Sequence, residues 1–441
     1  MDEGGAFRVQ NYRMRDVCLA RHPESIFGLE LEFAASTAPS DVPKSLQGNI
    51  ADMHEGLAAD DVVHYTGASH ALRSQNPPAL ETPMLHAKTR LTHPHAAAAM
   101  FRFAADHPEY ITGTEAGPWR MQIPLGSFEA RRDGETLLVE ATGVNPIGLS
   151  YMKLIFVDHI REYLAEEVEL HWGGDGQSHG VPPFFREVRV TASRRLTPTM
   201  QRVTFSVPDL EDLPLDELHV RLLLPPEDRP ANLPPVWPML TASGALSFPG
   251  GSNTLLVRVY TICHLDLARG EVENDFVLHP TAERSAGGWA ATCRPGDVAG
   301  LLGPGGGAIR QAPRVLLLGD ETALPAIARM LKAASPGTIC EAIIEVNGPE
   351  DEQDLAGPVE WLHRRGAAPG TKRLLVEALA RRQPSDDLYV WAGCEFDAFR
   401  DIRRHVRSVW KMPRDRHMVA AYWRRGLTGE MAEEPHHSSA A

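Results

Sequence analysis

A chain of 441 residues with 43% hydrophobic and 23% charged residues is long enough for about two to three domains, each with its own core. Its formal net charge of -14 argues against general nucleic-acid binding. No apolar run is long enough to span a bilayer, and the start, MDEGGAFRVQNYRMRD, lacks a basic stretch followed by an apolar one. Neither a membrane span nor a secretory signal is expected, and the cytoplasm is the default compartment.

Residues 1–83 mix Ala, Asp, Ser, His and Pro with few clean periods, so a poorly structured leader is expected there. SQNPPALETP reads as a linker, and Met84 is a second candidate start. Residues 84–175 read as a small α+β domain. HAKTRLT suggests a strand, and PHAAAAMFRFAADHP suggests a helix ended by Pro108. WRMQIPLGSFEARRDGETLLVEATG alternates like two strands around a turn at Asp133 and Gly134. PIGLSYMKLIFVDHIREYLAEE carries apolar residues at helical spacing. His93, His95, His107, His159 and His171 share no ligand spacing, so no metal site is expected.

After the Gly/Pro-rich joint WGGDGQSHGVPP, residues 184–311 break into short alternating runs such as REVRVTAS, MQRVTFSV, VRVYTICHLD and NDFVLHP, the signature of a β-barrel. Residues 312–428 change character again. PRVLLLGD, ICEAIIEV and DLYVWAGC read as strands; LPAIARMLKAA, LLVEALARR and FDAFRDIRRHVRSVW read as helices. That alternation predicts an α/β layer on a parallel sheet, a half-Rossmann. Residues 429–441 are expected to be a disordered tail. The five cysteines, Cys18, Cys263, Cys293, Cys340 and Cys394, contain no CxxC pair, so reduced thiols are expected. Redox chemistry on this chain therefore needs an organic cofactor or a metal brought by the substrate.

Three constellations carry chemistry. In RVYTI, Tyr260 offers a ring for stacking, Arg258 on the same strand face offers a fork for a phosphate, and Thr261 offers a hydroxyl for a polar ring edge. Taken alone, RxYT also fits an ordinary strand. In GDETALP, a strand-to-helix turn stands where a nucleotide site would lie, but there is no GxGxxG, and Asp320 and Glu321 put negative charge where a phosphate would sit. Arg400, Arg403, Arg404, Arg407, Lys411, Arg414, Arg416, Arg424 and Arg425 lie close together in an acidic chain. They read equally as a solvated helix face and as a steering surface for an anion.

The order of blocks from about residue 181 to 427 resembles the siderophore-interacting protein family. RRLTPTMQRVTF, HVRLLLPP, RVYTI, NDFVLHP, SAGGWA, PGD, GPGG, LLLGDETALPAIARML, WAGCE and YWRRG follow one another as that family's blocks do. The stretch LGSFEARRDGETLLVEA resembles a small uncharacterised α+β domain sometimes fused to the family. The resemblance implies an FAD-binding β-barrel of ferredoxin-reductase type followed by an α/β NAD(P)-binding-like layer. It implies flavin-dependent reduction of ferric siderophores, with the flavin carrying the chemistry and no side chain acting as a proton catalyst. It implies cofactor contacts from Arg258, Tyr260, Thr261, His279, Ala286, Gly287, Trp289 and Ala290, the last four as a turn whose N–H groups meet the pyrophosphate. Thr322, Cys394 and Glu395 are candidates for the electron-donor site, with Thr322 also read as a helix cap; Arg221, Trp423 and Arg424 are candidates for a basic rim that takes the siderophore. The donor is NAD(P)H or a ferredoxin-like protein. Three departures from the family pattern are Cys263 at the last position of RxYTxR, Gly288 before the tryptophan, and Arg221 in place of a common lysine. Two rival readings remain: a general flavin reductase with a non-iron acceptor, and a non-catalytic siderophore-binding protein.

Overall fold

The structure, a computed structural model, describes residues 84–426 except 109, 167, 177–178, 216, 231–232, 279–284 and 309. The expectations for the leader 1–83 and the tail 429–441 lie outside the described residues, as does His279.

The first unit runs β1 (Leu85–Thr92), α1 (Ala96–Asp106), β2 (Ile111–Thr112), β3 (Trp119–Ile123), β4 (Gly126–Asp133), β5 (Thr136–Gly143), α2 (Pro146–Leu164) and β6 (Gly173–Gly174). Its strands form an antiparallel sheet in the order β2-β3-β4-β5-β1-β6. The β4–β5 hairpin turns at Asp133 and Gly134, as the sequence predicts. WRMQI forms a strand of its own rather than continuing into β4, because Pro124 interrupts the alternation. Asn145 starts α2 by accepting a bond from the Gly148 N–H, and Pro146 supplies the first helical position. Every residue of α2 from Ile147 to Val157 is buried. One side of the helix covers the sheet and the other packs on the next unit, where the Tyr151 ring stacks on Phe184 at 4.4 Å. The apolar cores of the two units are continuous.

That next unit is a closed antiparallel barrel of six strands: β7 (Phe185–Thr197), β8 (Met200–Ser206), β9 (Glu217–Leu224), β12 (Leu256–Asp266), β13 (Glu271–Val277) and β14 (Val298–Ala308), in the order β12-β13-β8-β7-β14-β9. A small hairpin, β10 (Met239–Leu240) with β11 (Leu246–Ser247), lies beside it in sequence, and α3 (Ala286–Thr292) precedes β14. The last layer holds β15 (Arg314–Gly319), α4 (Leu324–Ala333), β16 (Ile339–Val346), β17 (Val359–His363), α5 (Leu374–Ala380), β18 (Leu388–Glu395), α6 (Phe396–Arg404) and β19 (His417–Trp423). Its strands are parallel in the order β17-β16-β15-β18-β19, with separate apolar clusters on its two faces. β17 and β19 were not among the predicted strands. The helix read through FDAFRDIRRHVRSVW stops at Arg404 and loosens into a single π turn over His405–Val409. The fold class is the predicted one: α+β unit, antiparallel barrel, parallel α/β layer.

Candidate flavin site and layer junction

Along β12, Arg258 and Tyr260 share a face, and β13 runs beside them with Ile262 opposite Asn274. The Tyr260 ring packs on Phe276 at 4.2 Å, and Phe276 lies 6.0 Å from Trp289 of α3, which stacks over Phe205 at 6.1 Å. RVYTI, NDFV and SAGGWA, separated in sequence, thus meet at one end of the barrel. Burial pushes the Tyr260 phenol well above its ordinary value, so it stays neutral. Ser285 caps α3 through its Oγ, which accepts from Gly288 N at 3.0 Å. Gly287 has no room for a side chain, since a Cβ there would lie 2.4 Å from the Val277 carbonyl oxygen. The SAGGWA residues form a helix rather than a bare turn. The Trp289 N–H is spent on Ser285 O at 2.9 Å, so Trp289 serves through its ring. Ala286 and Ala290 are buried against the barrel.

Two departures find a structural explanation. Cys263 sits beside Asp275, whose carboxylate is already forked by Arg202 of β8 at 2.6 and 2.7 Å. The guanidinium nearest position 263 is thus Arg202 of β8, which is committed to Asp275 and Glu273. Gly288 is exposed, with only Ser285 Oγ within reach of an added Cβ, at 3.1 Å. The third departure corrects an expectation. Arg221 is 6% exposed and does not belong to an outer rim, because β9 is enclosed along almost its whole length. On that side Tyr151 of α2 donates to Pro304 O at 3.1 Å, within the GPGG segment.

The barrel and the α/β layer are clamped at three points. His219 shares a hydrogen bond with the Tyr422 hydroxyl at 2.8 Å. Arg329 of α4 donates to the carbonyls of Glu217 and Leu215 at 2.8 and 2.7 Å. Asp351 accepts from the Thr199 N–H and hydroxyl at 3.1 and 2.6 Å. Thr261 pairs with His219 across β12 and β9, so the end of RVYTI lies at this junction. None of the three clamps was legible beforehand.

Burial, with Arg329 nearby, lowers His219 to about 4. Its folded value lies below the unfolded one of about 6.5, so the unfolded state takes up the proton first. The stability His219 contributes is therefore present above pH ~6.5 and lost as pH falls towards 4, on the order of 3 kcal/mol. Denaturant unfolding of the parent and of His219→Asn across that range measures it: the gap between the two should narrow on acidification. A constant gap contradicts the assignment.

The donor-site candidates are placed differently from expectation. Cys394 is fully buried, and burial holds its thiol well above the ordinary range. Glu395 is 3% exposed and serves as a cap, its oxygens accepting from Asp397 N at 2.6 Å and Arg425 N at 3.1 Å. Thr322 does not cap α4, whose cap position is Ala323; its N–H and hydroxyl both go to Asp320 Oδ1, at 3.0 and 2.5 Å. Trp423 donates through Nε1 to Asp320 Oδ2 at 2.8 Å, and the Arg424 guanidinium lies 4.5 Å over the Phe396 ring. These residues share the carboxyl edge of the parallel sheet, where strand-end packing buries Cys394 and Glu395 and leaves Thr322, Trp423 and Arg424 half-buried.

Residues 189–308 match the model of the siderophore-interacting FAD-binding domain, and residues 312–426 match that of the siderophore-interacting protein. An uncharacterized protein of Mycobacterium tuberculosis is 33% identical over 267 residues, 55% of this chain and 91% of the relative. The chain belongs to the siderophore-interacting protein family. Within it, the ferric vibriobactin reductase of Vibrio cholerae is 27% identical over 253 residues, 54% of this chain and 88% of its own length. The crystal structure of a siderophore utilization protein from T. fusca covers 56% of this chain and 94% of its own at 33% identity, TM-score 0.47. That of the siderophore-interacting protein SipS from Aeromonas hydrophila covers 57% and 94% at 26% identity, TM-score 0.48. Neither family model reaches residues before 189. Among the described residues, no helix is long and apolar enough to cross a membrane and no cluster of metal-ligating side chains occurs.

The barrel end fits FAD. It offers a half-buried tyrosine ring backed by Phe276 and an arginine on the same strand face.

Proposed function

We propose that this chain reduces the iron of ferric siderophores from Fe(III) to Fe(II) in the cytoplasm. The observation that supports this most is the meeting of RVYTI, NDFV and SAGGWA at one barrel end, inside the segment that matches a siderophore-interacting FAD-binding domain. FAD supplies two-electron acceptance and one-electron delivery. Arg258 holds the phosphate charge and Tyr260 covers the ring, while Thr261, buried on the alternate face of the strand, sits beside His219. Ala286, Gly287, Trp289 and Ala290 close the barrel under the cofactor. Trp423 and Arg424 offer stacking and charge to the anionic complex. Fe(III) is a hard cation that oxygen donors hold tightly, whereas Fe(II) is held far less well, so one electron opens the complex. The chain's work is to hold, orient and bring within reach; no side chain needs to move a proton. Nicotinamide and a ferredoxin-like protein are the two donor classes in view.

Acceptor profiling of the FAD-loaded protein tests the reading. With an Fe(II) trap present, turnover on ferric siderophores should exceed turnover on quinones and free flavin. Preference for quinone or free flavin points to a general reductase. A chain that refuses FAD points to a binding protein.

A further inference from the structure

The α+β unit lies outside both family matches, yet it is built into the barrel. Two of its buried side chains donate hydrogen bonds across the contact, and the two bonds end in different places. Tyr151 of α2 donates to Pro304 O of β14 at 3.1 Å. Trp172 donates through Nε1 to Ser243 O at 2.9 Å, in the turn between β10 and β11. That hairpin is a two-stranded sheet of its own, outside the barrel ladder.

The Tyr151 bond ends where the barrel defines itself least. Pro304 has no N–H to give to a ladder, and the pairing of β14 with β9 slips register on both sides of Gly305. The pin comes from outside the barrel. The Gly303 N–H donates to Phe184 O at 3.0 Å, the Phe184 ring stacks on Tyr151 at 4.4 Å, and the Tyr151 hydroxyl holds the next carbonyl along, that of Pro304. Burial raises the phenol well above its ordinary value, so the proton for that bond is always in place.

Two ladder steps lead from this pin to the flavin strand. Gly305 pairs with His219 of β9, and His219 pairs with Thr261 of β12, the residue after Tyr260. At the usual spacing of neighbouring strands the two steps span about 10 Å. On the far side of β12, Asn274 Nδ2 holds the Thr261 carbonyl at 2.7 Å. The end of RVYTI is thus held between β13 and a strand pair whose outer member is fixed by α2.

Resting on the flavin-site reading, we infer that the α+β unit is a working part of the reductase and that Tyr151 is a positioning residue: through Pro304 and His219 it sets the end of RVYTI, and with it the seat of the flavin ring. Tyr151 itself reaches neither cofactor nor siderophore.

The test uses the full chain. Tyr151→Phe removes the hydroxyl and keeps the ring on Phe184. Trp172→Phe removes a comparable bond that ends on the hairpin. Each is made alone and together with His219→Asn. The readouts are FAD fluorescence titration, the visible spectrum of the bound flavin, and urea unfolding of the apo protein. Both single variants should lose apo stability to a similar degree, each giving up one buried hydrogen bond. Only Tyr151→Phe should also weaken FAD, by about threefold to tenfold, the net worth of one such bond, and shift the flavin absorption. Since Tyr151 and His219 act on one strand, their effects should not add: in the His219→Asn background, Tyr151→Phe should cost FAD less than about twofold. FAD affinity unchanged in Tyr151→Phe, or weakened equally in Trp172→Phe, overturns the inference, because the unit would then serve the barrel by packing alone. Full additivity with His219→Asn overturns it as well. The urea measurements need no flavin: even in a chain that takes no FAD, stability losses of Tyr151→Phe and His219→Asn that add in full refute the coupling. Failure of the flavin reading shows separately, in the titration of the parent.

Discussion

Replacing Arg364 with methionine will cost the chain about 3–5 kcal/mol of stability, the range for breaking a buried ion network from one side. Arg364 is 2% exposed and holds Glu321 and Glu345, with Asp320 close by. Without it, three carboxylates face one another away from water. The loss will depend on pH. Burial already raises Glu345 to about 7, while Arg364 draws it down. Its folded value lies above the unfolded one, so the native state holds the proton more tightly. The stability tied to Glu345 is complete below about pH 4.5 and is lost as pH rises through 7. In the variant that loss deepens, so the protein should be less stable at pH 8 than at pH 5. Urea midpoints at both values measure this, and Glu345→Gln added to the methionine variant should restore part of the loss. A cost under about 1 kcal/mol, equal at both pH values, would show that the network is solvated.

The second large effect concerns the cofactor. Arg258→Ala should weaken FAD binding by about tenfold to hundredfold, the equivalent of one charge-assisted hydrogen bond. Tyr260→Ala should do the same by removing the ring that Phe276 backs. Tyr260→Phe should change affinity little, because stacking rather than the hydroxyl does the holding. Flavin fluorescence titration gives the affinities, and apo-protein melting separates a lost contact from a lost fold. Unchanged affinity in both alanine variants would move the cofactor elsewhere.

Much of the fold was legible because its signals are local. Alternation marked the barrel strands, Asp133 and Gly134 marked a hairpin, and apolar residues at helical spacing marked the helix from Pro146. VEWLH gave no signal, being only five residues long, and HMVAAYW was read for its YWRRG motif rather than as a strand. The flavin blocks were legible as an ordered set, and the barrel brings three of them together. The surroundings of the donor candidates and of Arg221 were not. Asp320 is tied to Glu395 and Trp423, 75 and 103 residues further along the chain, and only the parallel strand order makes them neighbours. Arg221 looked like a surface cation because HVRLLLP says nothing of what covers β9; α2 and Tyr151 lie over that side, far away in sequence. The same limit hid Arg329, His219 and Asp351, whose partners belong to the other layer.

The most direct measurement is a single anaerobic turnover. FAD-loaded protein is reduced, freed of reductant, and mixed with a ferric siderophore in the presence of an Fe(II) trap. The account predicts that the flavin colour returns as trapped Fe(II) appears, two ferrous ions for each FAD. A flavin that stays bleached beside iron that stays ferric would contradict it.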